Sequence, residues 1–161
     1  MRIRFILNGE DVEPDCDPGT RLLDLLRGNF GLTGTKSSCL AGNCGLCLVF
    51  FNDKPCPSCL IPAFGLQGGE VITIEAFSLT DEYRDIVAGF EAAGFRDCGF
   101  CRPARIIAAG SLVGRNRMPS EEEIVRVADG VKCRCCSPAD YVRGIGRAIR
   151  LRQGRLREGG R

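Results

Sequence analysis

The chain contains Cys39-Leu-Ala-Gly-Asn-Cys44-Gly-Leu-Cys47, followed after eleven residues by Cys59. This run constrains the fold more than any other stretch, because three thiols from one short loop must converge with a fourth on a single small centre. Cys-x4-Cys-x2-Cys with a distant fourth Cys is the plant-type ligand spacing of a [2Fe–2S] cluster. A loop so tight needs backbone that tolerates unusual φ/ψ and lets N–H groups approach the sulfurs. Gly34, Gly42 and Gly45 are placed to supply it. Amides aimed at the sulfurs stabilise a cluster's negative charge and tune its potential. Two rival uses of cysteine fit less well. A disulfide loop lacks an export signal, since Met1-Arg-Ile-Arg-Phe-Ile-Leu-Asn-Gly has no cleavage site and reads as a first strand. Zinc sites of four cysteines are usually built from two separated knuckles, each a close pair.

Composition matters mainly through cysteine and histidine. Eleven cysteines with no export signal favour metal ligation in a cytoplasmic protein, and the absence of His excludes Rieske ligation, His-containing zinc sites, Cys-His nucleophiles and Ser-His-Asp triads. A net charge of +2 argues for neither nucleic acid nor a membrane surface. No apolar run approaches the roughly 18 residues of a membrane span.

Read in order, the first half is strand-rich. Residues 2–7 run into Asn8-Gly9, a hairpin signal, and a second strand through Val12 ends at Pro18-Gly19. Thr20 is placed to cap a helix through Leu22, Leu23, Leu25 and Leu26, closed by Gly28 and Gly31. Leu48–Phe51 reads as a buried strand turning at Asn52-Asp53 toward Cys59, and residues 71–75 as the last strand. Strands folded around one helix with a thiol loop at one rim make a β-grasp, ferredoxin-like domain. From about residue 80 the apolar period shifts toward 3.6. Tyr83, Ile86, Val87 and Phe90 form one stripe, stopped at Gly94. Pro103 opens a second helix, Ser120-Glu-Glu-Glu123 a third as a capping box, and Pro138 a fourth. The expectation is an α+β chain, with a ferredoxin-like domain over residues 1–78 and a four-helix bundle over 79–161. The Arg- and Gly-rich tail after Arg150 reads as a solvated, frayed end rather than a binding arm.

The helical half holds a second constellation, Cys98-Gly-Phe-Cys101 before one helix and Cys133-Arg-Cys135 before another. Helix N-termini favour thiolates, and two such pairs facing each other supply four. Spacing alone leaves [2Fe–2S] and zinc both open here.

Gly31-Leu-Thr-Gly-Thr-Lys36, Cys39-x4-Cys44-Gly-x-Cys47, Cys98-Gly-Phe-Cys101-x-Pro103 and Cys133-Arg-Cys135 follow one another in that order. Together they resemble the small iron–sulfur subunit of the molybdenum hydroxylases, the family of xanthine dehydrogenase, aldehyde oxidoreductase, carbon monoxide dehydrogenase and 4-hydroxybenzoyl-CoA reductase. The resemblance covers nearly the whole chain. It implies two [2Fe–2S] clusters, one on Cys39, Cys44, Cys47 and Cys59, the other on Cys98, Cys101, Cys133 and Cys135, with Gly42, Gly45 and Gly99 against them. It implies an electron-relay subunit, without a catalytic residue of its own, working between a molybdopterin-binding large subunit and an FAD-binding subunit in a hetero-oligomer. Within the family, overall resemblance leans to a xanthine dehydrogenase-like or other N-heterocycle hydroxylase. Near the second cysteine set the chain departs from the family. Asp97, Arg102 and Ala104 replace a usual Gln, Thr or Ser, and Gly, and Cys136-Ser137-Pro138 replaces Thr-Gly-Tyr. Asp97 and Arg102 either form a local ion pair or alter how a pterin docks. These changes keep open an alternative, a stand-alone or regulatory [2Fe–2S] protein that meets no molybdenum partner. A structural zinc module is the third reading. Cys16, Cys56 and Cys136 are left without a role.

Overall fold

The computed structural model describes residues 1–115 and 117–159. Strands β1 (Phe5–Leu7) and β2 (Glu10–Val12) form an antiparallel hairpin. Asn8 and Gly9 both take positive φ, 55° and 87°, the left-handed pair whose twist matches that of the flanking strands. The same device, Asn52 at 48° and Asp53 at 62°, joins β3 (Leu48–Phe51) to β4 (Lys54–Pro57). The sequence reading marked this turn but not β4, whose Pro55 and Pro57 argue against a central strand. It is an edge strand, where a missing N–H is tolerated. With β5 (Glu70–Ile72), parallel to β1 and antiparallel to β3, the sheet order is β2-β1-β5-β3-β4. The last strand stops short of residue 75 because the Thr73 amide bonds to Asn8 Oδ1 at 2.8 Å and the chain enters α2 (Ile74–Phe77).

Helix α1 (Leu22–Asp24) continues as a π-helical turn over Leu25–Asn29. Thr20 does not cap it. Arg21 holds the cap position, and the Leu22 amide is satisfied by the Ile61 carbonyl at 2.8 Å instead. Leu22, Leu25 and Leu26 pack on Ile3, Phe5, Val49 and Val71 to form one core. Alternation along β3 sends Val49 into that core and Phe50 to the opposite face. There the Phe50 ring meets Phe77 at 5.3 Å between centroids, and the sheet joins the helical core.

That core is built by α3 (Asp81–Ala92), α4 (Arg102–Val113), α5 (Glu121–Asp129) and α6 (Pro138–Gly159). Thr80 caps α3 by accepting the Tyr83 amide, and the Ser120–Glu123 capping box opens α5 as its sequence predicts. Pro103 is the second residue of α4 rather than the first. Ile86 and Phe90 of α3 pack with Ile106, Ile107 and Leu112 of α4 and with Tyr141, Ile145 and Ile149 of α6. The tail corrects the sequence reading. Instead of fraying after Arg150, α6 runs on to 159. Arg152 pairs with Glu82, and Arg155 lies 2.7 Å from the fully buried Asp85 carboxylate, so the tail's arginines dock on α3. Among the described residues no helix is long and apolar enough to cross a membrane.

Candidate metal centres

The first thiol set is gathered by two elements of the sheet. Cys47 immediately precedes β3, and Cys59 follows β4 in a 3-10 turn over Ser58–Leu60. Ser58 ties the two together, its amide and hydroxyl both donating to the Cys47 carbonyl, at 3.0 and 2.8 Å. Cys47 and Cys59 are buried and pack on Leu23, whereas Cys39 is exposed at the loop's outer end. The loop turns its main chain inward. The Ala41, Asn43 and Cys44 amides donate to Cys39 Sγ at 3.5, 3.3 and 3.3 Å, and the Gly42 amide donates to Cys59 Sγ at 3.3 Å. This conformation needs positive φ at Gly42 and Gly45, 70° and 71°. Gly34 does not share it. Its reason for being glycine is the close approach of Ile74 and Glu75, whose Oε1 accepts the Gly34 amide at 2.9 Å.

The amides have a chemical consequence. Donation from Ala41 first, then Cys44, holds the Cys39 thiol down at about 6, while burial pushes Cys47 up to about 11. One end of the set is therefore a ready thiolate and the other a shielded thiol. Four sulfurs with backbone N–H groups aimed at two of them suit a sulfide-bridged iron centre, whose negative charge those donors stabilise.

The second set forms where α4 begins and where the α5–α6 connection passes it. Cys101 is the buried N-cap of α4, and Cys98 is exposed three residues earlier. Cys133 Sγ and Cys135 Sγ stand 3.2 Å apart, with Cys133 also against Cys101 and Cys135 against Cys98. Burial opposes ionisation of Cys133, yet donation from the Cys135 amide and the neighbouring thiols brings it down to about 6. Burial first, then its neighbours, pushes Cys101 up to about 12, and the Phe100 amide lowers Cys98. Cys98, Cys101, Cys133 and Cys135 thus lie together, and in the first set one loop directs its amides at the sulfurs of both Cys39 and Cys59. Cys16 and Cys56 join neither. Cys16 packs under the first core and Cys56 sits on β4 opposite Val49. Cys136 does come close, its Sγ 3.5 Å from Cys133 Sγ.

Comparison with known proteins agrees with this division. A 2Fe-2S iron-sulfur cluster binding domain matches residues 5–64, and a [2Fe-2S] binding domain matches residues 73–146. The nicotinate dehydrogenase small FeS subunit of Eubacterium barkeri is 38% identical over 135 residues, 84% of this chain and 86% of that one. The chain belongs to the small iron–sulfur subunits of the molybdenum hydroxylase family. It is an electron-transfer subunit. A probable xanthine dehydrogenase subunit of Bacillus subtilis is 35% identical over 159 residues, 99% of this chain and 91% of its own length. Among solved structures, quinoline 2-oxidoreductase from Pseudomonas putida 86 superposes with a TM-score of 0.84 at 30% identity, covering 96% of both chains.

In this iron–sulfur subunit the two quartets meet across a seam that sequence reasoning missed. The Lys132 amide donates to the Cys44 carbonyl at 2.9 Å, so neighbours of both sets share one hydrogen bond. Gly45 lies directly against the Gly130 carbonyl. Leu46, Cys101, Ala104, Ala108 and Val131 fill the space between. The sequence signal was Gly130, read only as the end of α5. Of the two readings left open for Asp97 and Arg102, the local ion pair is present. Arg102 Nε donates to Asp97 Oδ2 at 3.2 Å, and Asp97 Oδ1 accepts the Gly99 amide at 2.9 Å. Gly99 thus orders the turn between Cys98 and Cys101 through Asp97.

Proposed function

We propose that this subunit holds two [2Fe–2S] clusters, one on Cys39, Cys44, Cys47 and Cys59 and one on Cys98, Cys101, Cys133 and Cys135. When bound, they supply a one-electron relay from a molybdopterin-binding subunit to an FAD-binding subunit. We assign residues 1–78 to the ferredoxin-like domain and 79–161 to the helical one. The observation that carries the reading is the pair of separate thiol quartets, each with backbone amides directed at its sulfurs. The chain's own part is to hold, orient and shield. Amides of the 39–47 loop offset charge on the exposed side, and burial keeps water from Cys47, Cys59 and Cys101. The Lys132–Cys44 hydrogen bond fixes the spacing between the two sets. The relatives named for nicotinate, xanthine and quinoline favour a complex acting on an N-heterocycle; we place it in the cytoplasm, with the substrate bound on another polypeptide.

Two measurements test the reading. Purified chain should contain about four iron and four acid-labile sulfide, the sum of two [2Fe–2S] centres. Zinc without sulfide overturns the proposal. Affinity purification from the native cell should bring down molybdopterin- and FAD-containing chains. Recovery of the chain alone, clusters intact, refutes the partner assignment.

A further inference from the structure

One charged side chain in the helical core is used by nothing described so far. Arg105 sits on α4 between Ala104 and Ile106 and is 2% exposed. Its Nε and Nη1 are buried without a hydrogen-bond partner, and among the described residues no carboxylate pairs with it. Tyr141 and Phe95 offer ring faces, at 4.1 and 5.5 Å from the guanidinium carbon, but no negative charge. A buried cation persists only where something offsets its lost hydration.

The position of Arg105 supplies the missing partner. Its amide donates to the Cys101 carbonyl at 3.1 Å, so it lies one turn beyond a thiol of the second quartet. Helical side chains lean back toward the preceding turn, which carries the guanidinium toward those sulfurs. A cavity of about 110 Å³ is lined by Arg105, Asp129, Lys132, Cys133 and Tyr141 among others, and Asp129 forms no ion pair with Arg105. The field of the Arg105 charge is therefore directed at these thiols, where Cys136 Sγ also lies 3.5 Å from Cys133 Sγ. The other charges nearby do not cancel that field. Asp97 is already paired with Arg102, and Asp129 is exposed.

We infer that Arg105 is the buried counter-charge of the second thiolate quartet and raises the reduction potential of the cluster held there. The inference rests on the two-cluster reading above. Reduction adds one negative charge to the cluster, and a fixed cation favours the more negative form. Arg105 acts on the cluster's electronics without ligating it, a positioning role in which Tyr141 holds the side chain in place.

An EPR-monitored redox titration of the full chain, carrying its clusters, tests this. Arg105→Met removes the charge and approximates the shape, and Arg105→Lys keeps the charge. Opposite charges at close range shift charge equilibria by about ten- to a thousand-fold. The Met variant should therefore lower the reduced-to-oxidised ratio of the second cluster at least tenfold at fixed poise, about 59 mV for one electron. The first cluster should not move, and the Lys variant should stay near wild type. Loss of the second signal in the Met variant alone, with the Lys variant at the wild-type potential, also supports the role. An unmoved potential with both signals intact overturns it. So does loss of the second signal in both variants, which makes Arg105 a packing residue. A wild-type potential that differs between chloride and sulfate overturns it too, by making a mobile anion the partner. A wild-type chain with no second reducible signal sinks the two-cluster reading, and this inference with it.

Discussion

Gly45→Ala probes the seam between the two halves. The substitution meets two separate costs. At φ +71° an L side chain is strained by about 1–2 kcal/mol. A Cβ there would also lie 3.1 Å from the Gly130 carbonyl carbon and 3.2 Å from Val131 Cα, with the Gly130 oxygen closer still. Those are main-chain atoms at the end of α5, where the Gly130 amide bonds back to Val127 at 3.2 Å, so no flexible side chain can swing aside. Overpacking of that kind costs about 1–3 kcal/mol. The control is Gly9→Ala, at φ +87° with nothing within 4 Å of the new methyl. It meets only the strain. Both variants stiffen the unfolded chain equally, which offsets under about 1 kcal/mol in each and cancels in the comparison. At about 2–4 °C per kcal/mol for a chain of this size, the melting temperature of cluster-loaded Gly45→Ala should fall below that of Gly9→Ala by about 2–12 °C. Equal melting temperatures would refute the reasoning, because the seam would then yield without cost.

Other consequences can be measured directly. Cys135→Ala should lower bound iron from about four to about two per chain, while Cys136→Ala should keep about four; the reverse result makes Cys136 the ligand. Tyr141→Phe loses the hydroxyl bond to the Arg105 carbonyl, 2.7 Å, at a net cost of about 0.5–1.5 kcal/mol near neutral pH. Burial raises the Tyr141 phenol, so its contribution is complete below the ordinary value of about 10 and declines as pH rises beyond it. Denaturant unfolding at neutral pH and above pH 10 should therefore show the gap between wild type and Tyr141→Phe narrowing, and a constant gap contradicts the buried phenol. Gly89→Ala and Gly154→Ala make the same change on two helices with opposite outcomes. The first places a methyl 2.5 Å from the Ala148 amide nitrogen and should destabilise by up to about 2 kcal/mol net, as read by chemical denaturation. The second meets nothing within 4 Å and should stabilise by up to about 1 kcal/mol.

Features with a local cause were legible in the sequence. Asn8-Gly9 fixed a turn because both residues tolerate positive φ, and Ser120 with Glu123 fixed a helix start because the two side chains satisfy each other's amides. The cysteine spacings marked both quartets because loop geometry limits which thiols can converge. Features whose cause lies far along the chain were not legible. Thr20 is a good cap by type, but the Ile61 carbonyl, some forty residues away, takes the amide it would have served. The Arg-rich tail has the composition of a frayed end, and only the buried Asp85 on α3 shows why it stays helical. Arg105 falls on an apolar helix face, and an unexplained charge there was the signal that something anionic belongs nearby.

The seam between the halves is written in peptide units. A carbonyl of the Cys44 loop receives the Lys132 amide, and an α-carbon without a side chain rests on the Gly130 carbonyl. Peptide dimensions are the same whatever residues are attached. On the two-cluster proposal, the gap between the clusters would be set by contacts that do not depend on side-chain size.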